Sequence, residues 1–261
     1  GEIARHIALP GAPGGGKTTT LTRLAGGALA NGYGVIIVDC KGGGLGPMTR
    51  QLADRARVPY YLVDPDHPDS LGYDICSGDP AGVANKLLGA FSYEGAAEYY
   101  KHQAMEVLPL VVEALQLTRG RVTLDGIYEH LGKGALSSLG RAANEPYRTL
   151  LTDLDHHRDY SGLQPRFGAL QRGAFGPLFR APDVLDWDAT TGAPAVTYLA
   201  LCATASGEDV ELFARVIAND LKQLCARRFQ ALARGETLPP ALVMFDEFAA
   251  LREAEQIVDL L

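Results

Sequence analysis

No stretch of this chain is apolar for the roughly 20 consecutive residues a membrane-spanning helix needs, so no segment is expected to contact a bilayer. No signal peptide is expected in it either. The chain opens directly on the strand-like residues 3–9, IARHIAL, and a first strand without a lead-in reads as part of a longer protein. Cysteine is sparse: Cys40, Cys76, Cys202 and Cys225 include no CxxC pair. Such scattered thiols suit a reducing cytoplasm better than a disulfide framework. No Cys and His spacing matches a zinc site, and the neighbours His156 and His157 would diverge on a helix. Positive charge is not in excess. With 24 Lys and Arg against 31 Asp and Glu, the net charge of −7 predicts no general electrostatic grip on nucleic acid. A ring of subunits can still present a few local cations around a pore. Internal repeats and low-complexity tracts are absent.

What is present is an ordinary globular composition, 47% hydrophobic and 21% charged over 261 residues, enough for one large domain or a domain carrying an insertion. The first part alternates strand and helix. Residues 3–9 read as a strand, 17–30 as a helix, 35–39 as a buried strand, 51–57 as a short helix and 60–63 as a third strand. This βαβαβ rhythm predicts an α/β fold with a mostly parallel sheet and helices on both faces. From about residue 80 to 178 the apolar spacing turns helical, as in 96–117 and 146–155. Pro109 is expected to kink the first of these. Residues 123–130 read as a short helix with Thr123 or Asp125 near its start. Strand rhythm returns at 195–201, followed by a long helix over 208–234. After Pro239 and Pro240, the apolar run 241–245 closes on Asp246 and Glu247. The expected organisation is a nucleotide-binding domain over 1–91 and 182–261, with an all-helical domain inserted at 92–181.

The strongest motif is Gly11-Ala12-Pro13-Gly14-Gly15-Gly16-Lys17-Thr18, which fits G-x-x-x-x-G-K-[ST] at every fixed position and lies between a predicted strand and a predicted helix. Successive backbone N–H groups would curl around phosphates, and the helix N-terminus adds favourable dipole charge. Gly14, Gly15 and Gly16 permit a close backbone approach that side chains would block. Lys17 is the expected catalytic contact to the β- and γ-phosphates, Thr18 the expected Mg²⁺ ligand, and Thr19 is expected to line the nucleotide with them. The second half of such a site is an acidic strand end. Asp246 fits the water-mediated Mg²⁺ partner, and Glu247 the residue that polarises the attacking water. Asp39-Cys40-Lys41-Gly42 ends the second strand, where ligands bind in such sheets. Lys41 and its glycines either approach the nucleotide or a neighbouring subunit, or form a charged strand end and turn. Asn85-Lys86-Leu87-Leu88 lacks the acid of a guanine-reading N-K-x-D element, which favours ATP by elimination.

In this order the residues resemble the FtsK/HerA superfamily of hexameric DNA-pumping ATPases, and within it the type IV secretion coupling proteins of the TraG/TraD kind. Residues 35–42 (VIIVDCKG) look like the family's second strand, 61–65 (YLVDP) like its third strand and turn, and 242–251 (LVMFDEFAAL) like its Mg²⁺-binding strand. The likeness runs along nearly the whole chain, although only the phosphate loop is specific alone. It implies a RecA-like P-loop motor domain with an inserted all-helical domain, tethered in the full-length protein to the bacterial inner membrane by an N-terminal segment. It further implies a homo-hexamer that uses ATP and Mg²⁺ to recruit or translocate DNA and secreted proteins toward secretion-channel components during conjugation. Two features depart from the family pattern. Gly72-Tyr73-Asp74-Ile75 stands where an Asn-Pro pair is expected. The chain also stops at Leu261, so the next core strand with its γ-phosphate sensor is not expected within it.

The resemblance implies that ATP binds between subunits and that an arginine from the neighbour stabilises the transition state; Arg166, Arg172 and Arg180 are the candidates. A second reading makes the helical insertion a cargo-recognition module whose assembly nucleotide gates. A third, a small-molecule kinase, predicts phosphate transfer to a metabolite rather than DNA-stimulated phosphate release.

Overall fold

The computed structural model describes residues 9, 15–41, 44–91, 97–158, 160–201 and 206–246. The strand expected over 3–9 lies outside them except for Leu9. In chain order the elements are α1 (Lys17–Ala30), β1 (Gly34–Asp39), α2 (Gly46–Ala56), β2 (Tyr60–Val63), α3 (Pro80–Gly89), α4 (Ala97–Arg119), α5 (Leu124–His130), α6 (Ala135–Ala143), α7 (Tyr147–His157), α8 (Gln164–Arg172), α9 (Trp187–Thr191), β3 (Val196–Ala200), α10 (Gly207–Ala233) and β4 (Ala241–Asp246). The chain is α/β, with the four strands of the described residues in one parallel sheet ordered β2-β3-β1-β4.

By compactness the chain forms two units. One holds residues 1–71, 185–204 and 224–261, the other residues 72–184 and 205–223. The divisions fall at 71/72, 184/185, 204/205 and 223/224, whereas the sequence places domain boundaries near 92 and 181.

In the α/β unit every residue of β1 and β3 is buried, as parallel strands covered on both faces require. One face is packed by α1 and α2. Leu21, Ala25, Ala28 and Leu29 of α1 recur at helical spacing and meet Val35 and Ile37 of β1, Val196 and Tyr198 of β3, and Leu242 and Met244 of β4. Each large aliphatic side chain buried there contributes about 1.5–3 kcal/mol, so this stripe fixes α1 to the sheet. β4 is held beside β1 from its first residue, since Gly34 N–H donates to Pro240 O at 2.9 Å. Arg228 near the end of α10 donates to the carbonyls of Thr191 and Pro239 and sets the start of that strand. The one clear difference in element length is α2. Expected over 51–57, it begins at Gly46, because Pro47 in its first turn is pre-set for helix rather than ending it;. It stops at Ala56, where Arg57 turns left-handed at φ 55°.

The other unit is helical, and among its described residues extended backbone amounts to an isolated bridge between Gly72 and Val184. Pro109 lies within α4, which continues through it as one helix. Thr123 caps α5 by accepting from Gly126 N–H. Asp125 instead turns its carboxylate to Gln171 and Arg180. The first turn of α6 is capped from a distance, with the Asp155 carboxylate accepting from Gly134 N–H, Ser137 N–H and the Ser137 hydroxyl. Lys86 is fully buried, its Nζ 2.6 Å from Asp220 Oδ1, and Tyr73 donates to the other oxygen of the same carboxylate.

No helix among the described residues is long and apolar enough to cross a membrane.

Candidate functional site

The site begins at the start of α1. Gly16 takes φ 79°, a left-handed conformation that residues with a Cβ rarely adopt, although among the described residues nothing lies within 4 Å of where a Cβ would stand. Conformation rather than space therefore demands glycine here. The helix then opens on Lys17, half-buried, and on Thr18 and Thr19, both exposed. Its N-terminus has no side-chain cap and no acidic residue in the first turn. No acidic side chain of its own first turn therefore offsets the positive end of the helix dipole;. Thr20 and Thr22 turn their hydroxyls back on the carbonyls of Gly16 and Thr18. Gly15, Gly16, Lys17, Thr18 and Thr19 are described; Gly11, Ala12, Pro13 and Gly14 lie outside the described residues.

Three residues, Asn31, Gly32 and Tyr33, separate α1 from β1, so the helix doubles back along the strand it precedes. At 14 residues it spans about 21 Å, and β1 at six residues spans about 20 Å. Lys17 and Thr18 are thereby returned to the level at which the strands end. α1 packs on both β1 and β4. Leu242 and Met244 of β4 belong to the cluster beneath α1. Because side chains alternate along a strand, Asp246 occupies that same face at the strand's C-terminal end. The fold so brings the phosphate-loop helix and the acidic strand end to one edge of one sheet. Glu247 lies outside the described residues.

A further carboxylate stands at that edge. Asp39 is the register partner of Asp246, and the parity of β1 puts it on the same face. It is buried, accepting from the Tyr198 hydroxyl at 2.8 Å and from Lys41 N–H at 3.1 Å. Burial first, then the hydrogen bond to Asp39 and its charge, push the Tyr198 hydroxyl far above its ordinary range, so that it remains a donor;. The neighbouring Tyr60 is also raised, chiefly by burial, while its hydroxyl meets Thr49 Oγ1 at 3.1 Å. Tyr198 was not legible as a site residue. Its one signal is a phenol within an apolar strand, which must find a polar partner when buried. The side chain of Lys41 is exposed, whereas its backbone is tied to Asp39.

The oxygen donors at this edge, the Thr18 hydroxyl and the Asp246 carboxylate, are the type that hard cations such as Mg²⁺ prefer. The three arginines considered as trans residues all belong to the helical unit. Arg180 forks onto Asp125 and donates to Gln171 O at 3.1 Å. Arg166 lies over the ring of Phe91, and Arg172 is in the last turn of α8. Lys86, within the Asn-Lys element, is a buried strut rather than a nucleotide contact. His157 faces Asp153 on the exposed side of α7. Cys40 and Cys76 are buried and Cys225 is half-buried; Cys202 lies outside the described residues.

A scan against protein-family models finds no match, and a search of curated proteins finds none.

Proposed function

We propose that this chain is the ATP-binding and ATP-hydrolysing domain of a RecA-like motor of the FtsK/HerA type, working as a type IV secretion or conjugative coupling protein that recruits or translocates DNA and protein. One observation carries the nucleotide part. The helix that follows Gly16 and opens on Lys17-Thr18 packs on the sheet face, with its N-terminus at the sheet edge where Asp246 stands. The coupling-protein part rests on the order of the motifs along the chain and on the strand endings at Asp39-Cys40-Lys41-Gly42 and Asp246-Glu247-Phe248.

In this reading Lys17 grips the terminal phosphates, and the uncapped first turn of α1 receives their charge. Thr18 and Asp246 would hold Mg²⁺, which when bound neutralises charge on the β- and γ-phosphate oxygens. Glu247 would orient and polarise the attacking water. The full-length protein would be an inner-membrane-tethered homo-hexamer, with an arginine from the neighbouring subunit completing the site.

The deciding experiment is nucleotide binding by the full chain and its Lys17→Ala variant. Loss of a charge partner to phosphate should weaken ATP binding by about a hundredfold. Equal affinities for the two proteins would refute the assignment. DNA-stimulated phosphate release by the full-length protein would then support a motor over a nucleotide-gated cargo receptor.

A further inference from the structure

The turn between α5 and α6 and the end of α7 border a cleft of about 310 Å³ in the helical unit. Leu131 and Leu136, both buried, make its apolar wall together with Tyr160. Lys133 and His156 line it and are exposed. Arg158 and His157 line it as well, the first turned to Glu106 and the second to Asp153. Among the described residues its one carboxylate is Asp155. Both oxygens of that group already serve the first turn of α6, accepting from Gly134 N–H, Ser137 N–H and the Ser137 hydroxyl. The lining is therefore rich in hydrogen-bond donors and short of acceptors.

Tyr160 carries the same imbalance into the interior. It is 4% exposed, and among the described residues nothing accepts its O–H. Burial first, then the charge of Glu106, hold the phenol above its ordinary value of 10.0 against the opposing charge of Arg158, so the proton stays in place;. A buried hydroxyl without an acceptor is rare in folded proteins and marks a place where a ligand or a water completes the bonding.

We propose that this cleft binds a small organic anion, whose oxyanion group accepts from the Tyr160 hydroxyl and Lys133 Nζ while its apolar body lies against Leu131 and Leu136. Phosphate esters and carboxylates share that chemistry, and the volume suits the small end of the ligand range. The site is independent of the nucleotide-binding reading.

The test titrates the full chain with phenylphosphonate and, separately, with benzoate. Binding is followed by the imidazole proton–nitrogen NMR signals of His156 and His157, assigned with His156→Gln and His157→Gln. At least one probe should shift both signals saturably, and the tighter probe tells ester from carboxylate. Tyr160→Phe and Lys133→Ala should each weaken that binding about tenfold, since each removes one donor to the anion. Tyr160→Phe deletes only a hydroxyl that lacks an acceptor, so its thermal midpoint should match or exceed the parent's. A phosphate loop would also take a phosphonate, so the titration is repeated in Lys17→Ala, where the imidazole shifts should be unchanged. Shifts that vanish in Lys17→Ala belong to the phosphate loop and overturn the proposal. Shifts of both probes that stay linear to about 20 mM mean that water alone fills the cleft, and they overturn it too. So does an affinity within about twofold of the parent in either Tyr160→Phe or Lys133→Ala.

Discussion

Among the described residues two buried carboxylates take a tyrosine hydroxyl, and they illustrate different uses of the same chemistry. In the helical unit Asp220 of α10 receives Tyr73 and pairs with Lys86, which also donates to Ser77 O at 2.8 Å. Cation and anion are both enclosed, so the cluster compensates itself and can only hold its helices together. In the α/β unit Asp39 receives Tyr198 at the end of a strand, next in register to a second aspartate. There the second aspartate stands on the same sheet face, and the hydroxyl bond ties a strand end to the packing beneath α1 and α2. The first network joins helices, whereas the second anchors the sheet edge at which the proposed nucleotide site lies.

Breaking the closed network should have the largest effect. Lys86→Ala removes the buried cation that faces Asp220 and should cost about 3–5 kcal/mol, read as a lowered urea midpoint. The double variant Lys86→Met with Asp220→Leu should recover most of that loss, since apolar replacements of a buried pair are often neutral. A double variant as unstable as the single would show that the pair does more than compensate itself. Next in size, Asp246→Asn should weaken Mg²⁺-dependent nucleotide binding by about a hundredfold while leaving metal-free binding in place, as titrations with and without chelator would show. Thr123→Ala should cost about 1 kcal/mol of stability by uncapping α5, measured by thermal unfolding.

The smallest effect is a pH slope. The folded state holds the Tyr198 hydroxyl above its ordinary value of 10.0, whereas the unfolded chain ionises there. This contribution to stability is whole below about pH 10 and is lost as pH rises through the folded value. Denaturant midpoints measured from about pH 8 to pH 11 should fall less steeply in Tyr198→Phe than in the parent. Identical slopes would mean that this hydroxyl is not the group responsible.

Local pattern made much of the α/β unit legible. Helix α1 begins at Lys17, as the phosphate-loop motif requires, and β2 spans Tyr60–Val63 as its aromatic and aliphatic run suggests. Both features are encoded within a few residues. The start of α2 was not readable, because Gly46-Pro47 serves equally as a turn and as a helix opening. The pairing of Lys86 with Asp220 was hidden for another reason: a lysine among apolar residues of α3 reveals nothing of a partner on α10.

The sequence by itself determined the phosphate-loop pattern, the strand endings in Asp39 and Asp246, and the alternation that makes the sheet parallel, since each depends on neighbours along the chain. Only tertiary structure decided that β4 lies directly beside β1, that Asp39 and Asp246 share the face covered by α1, and that Tyr198 closes on Asp39. Strand order and register are set by how distant apolar faces pack, and no local window contains both partners.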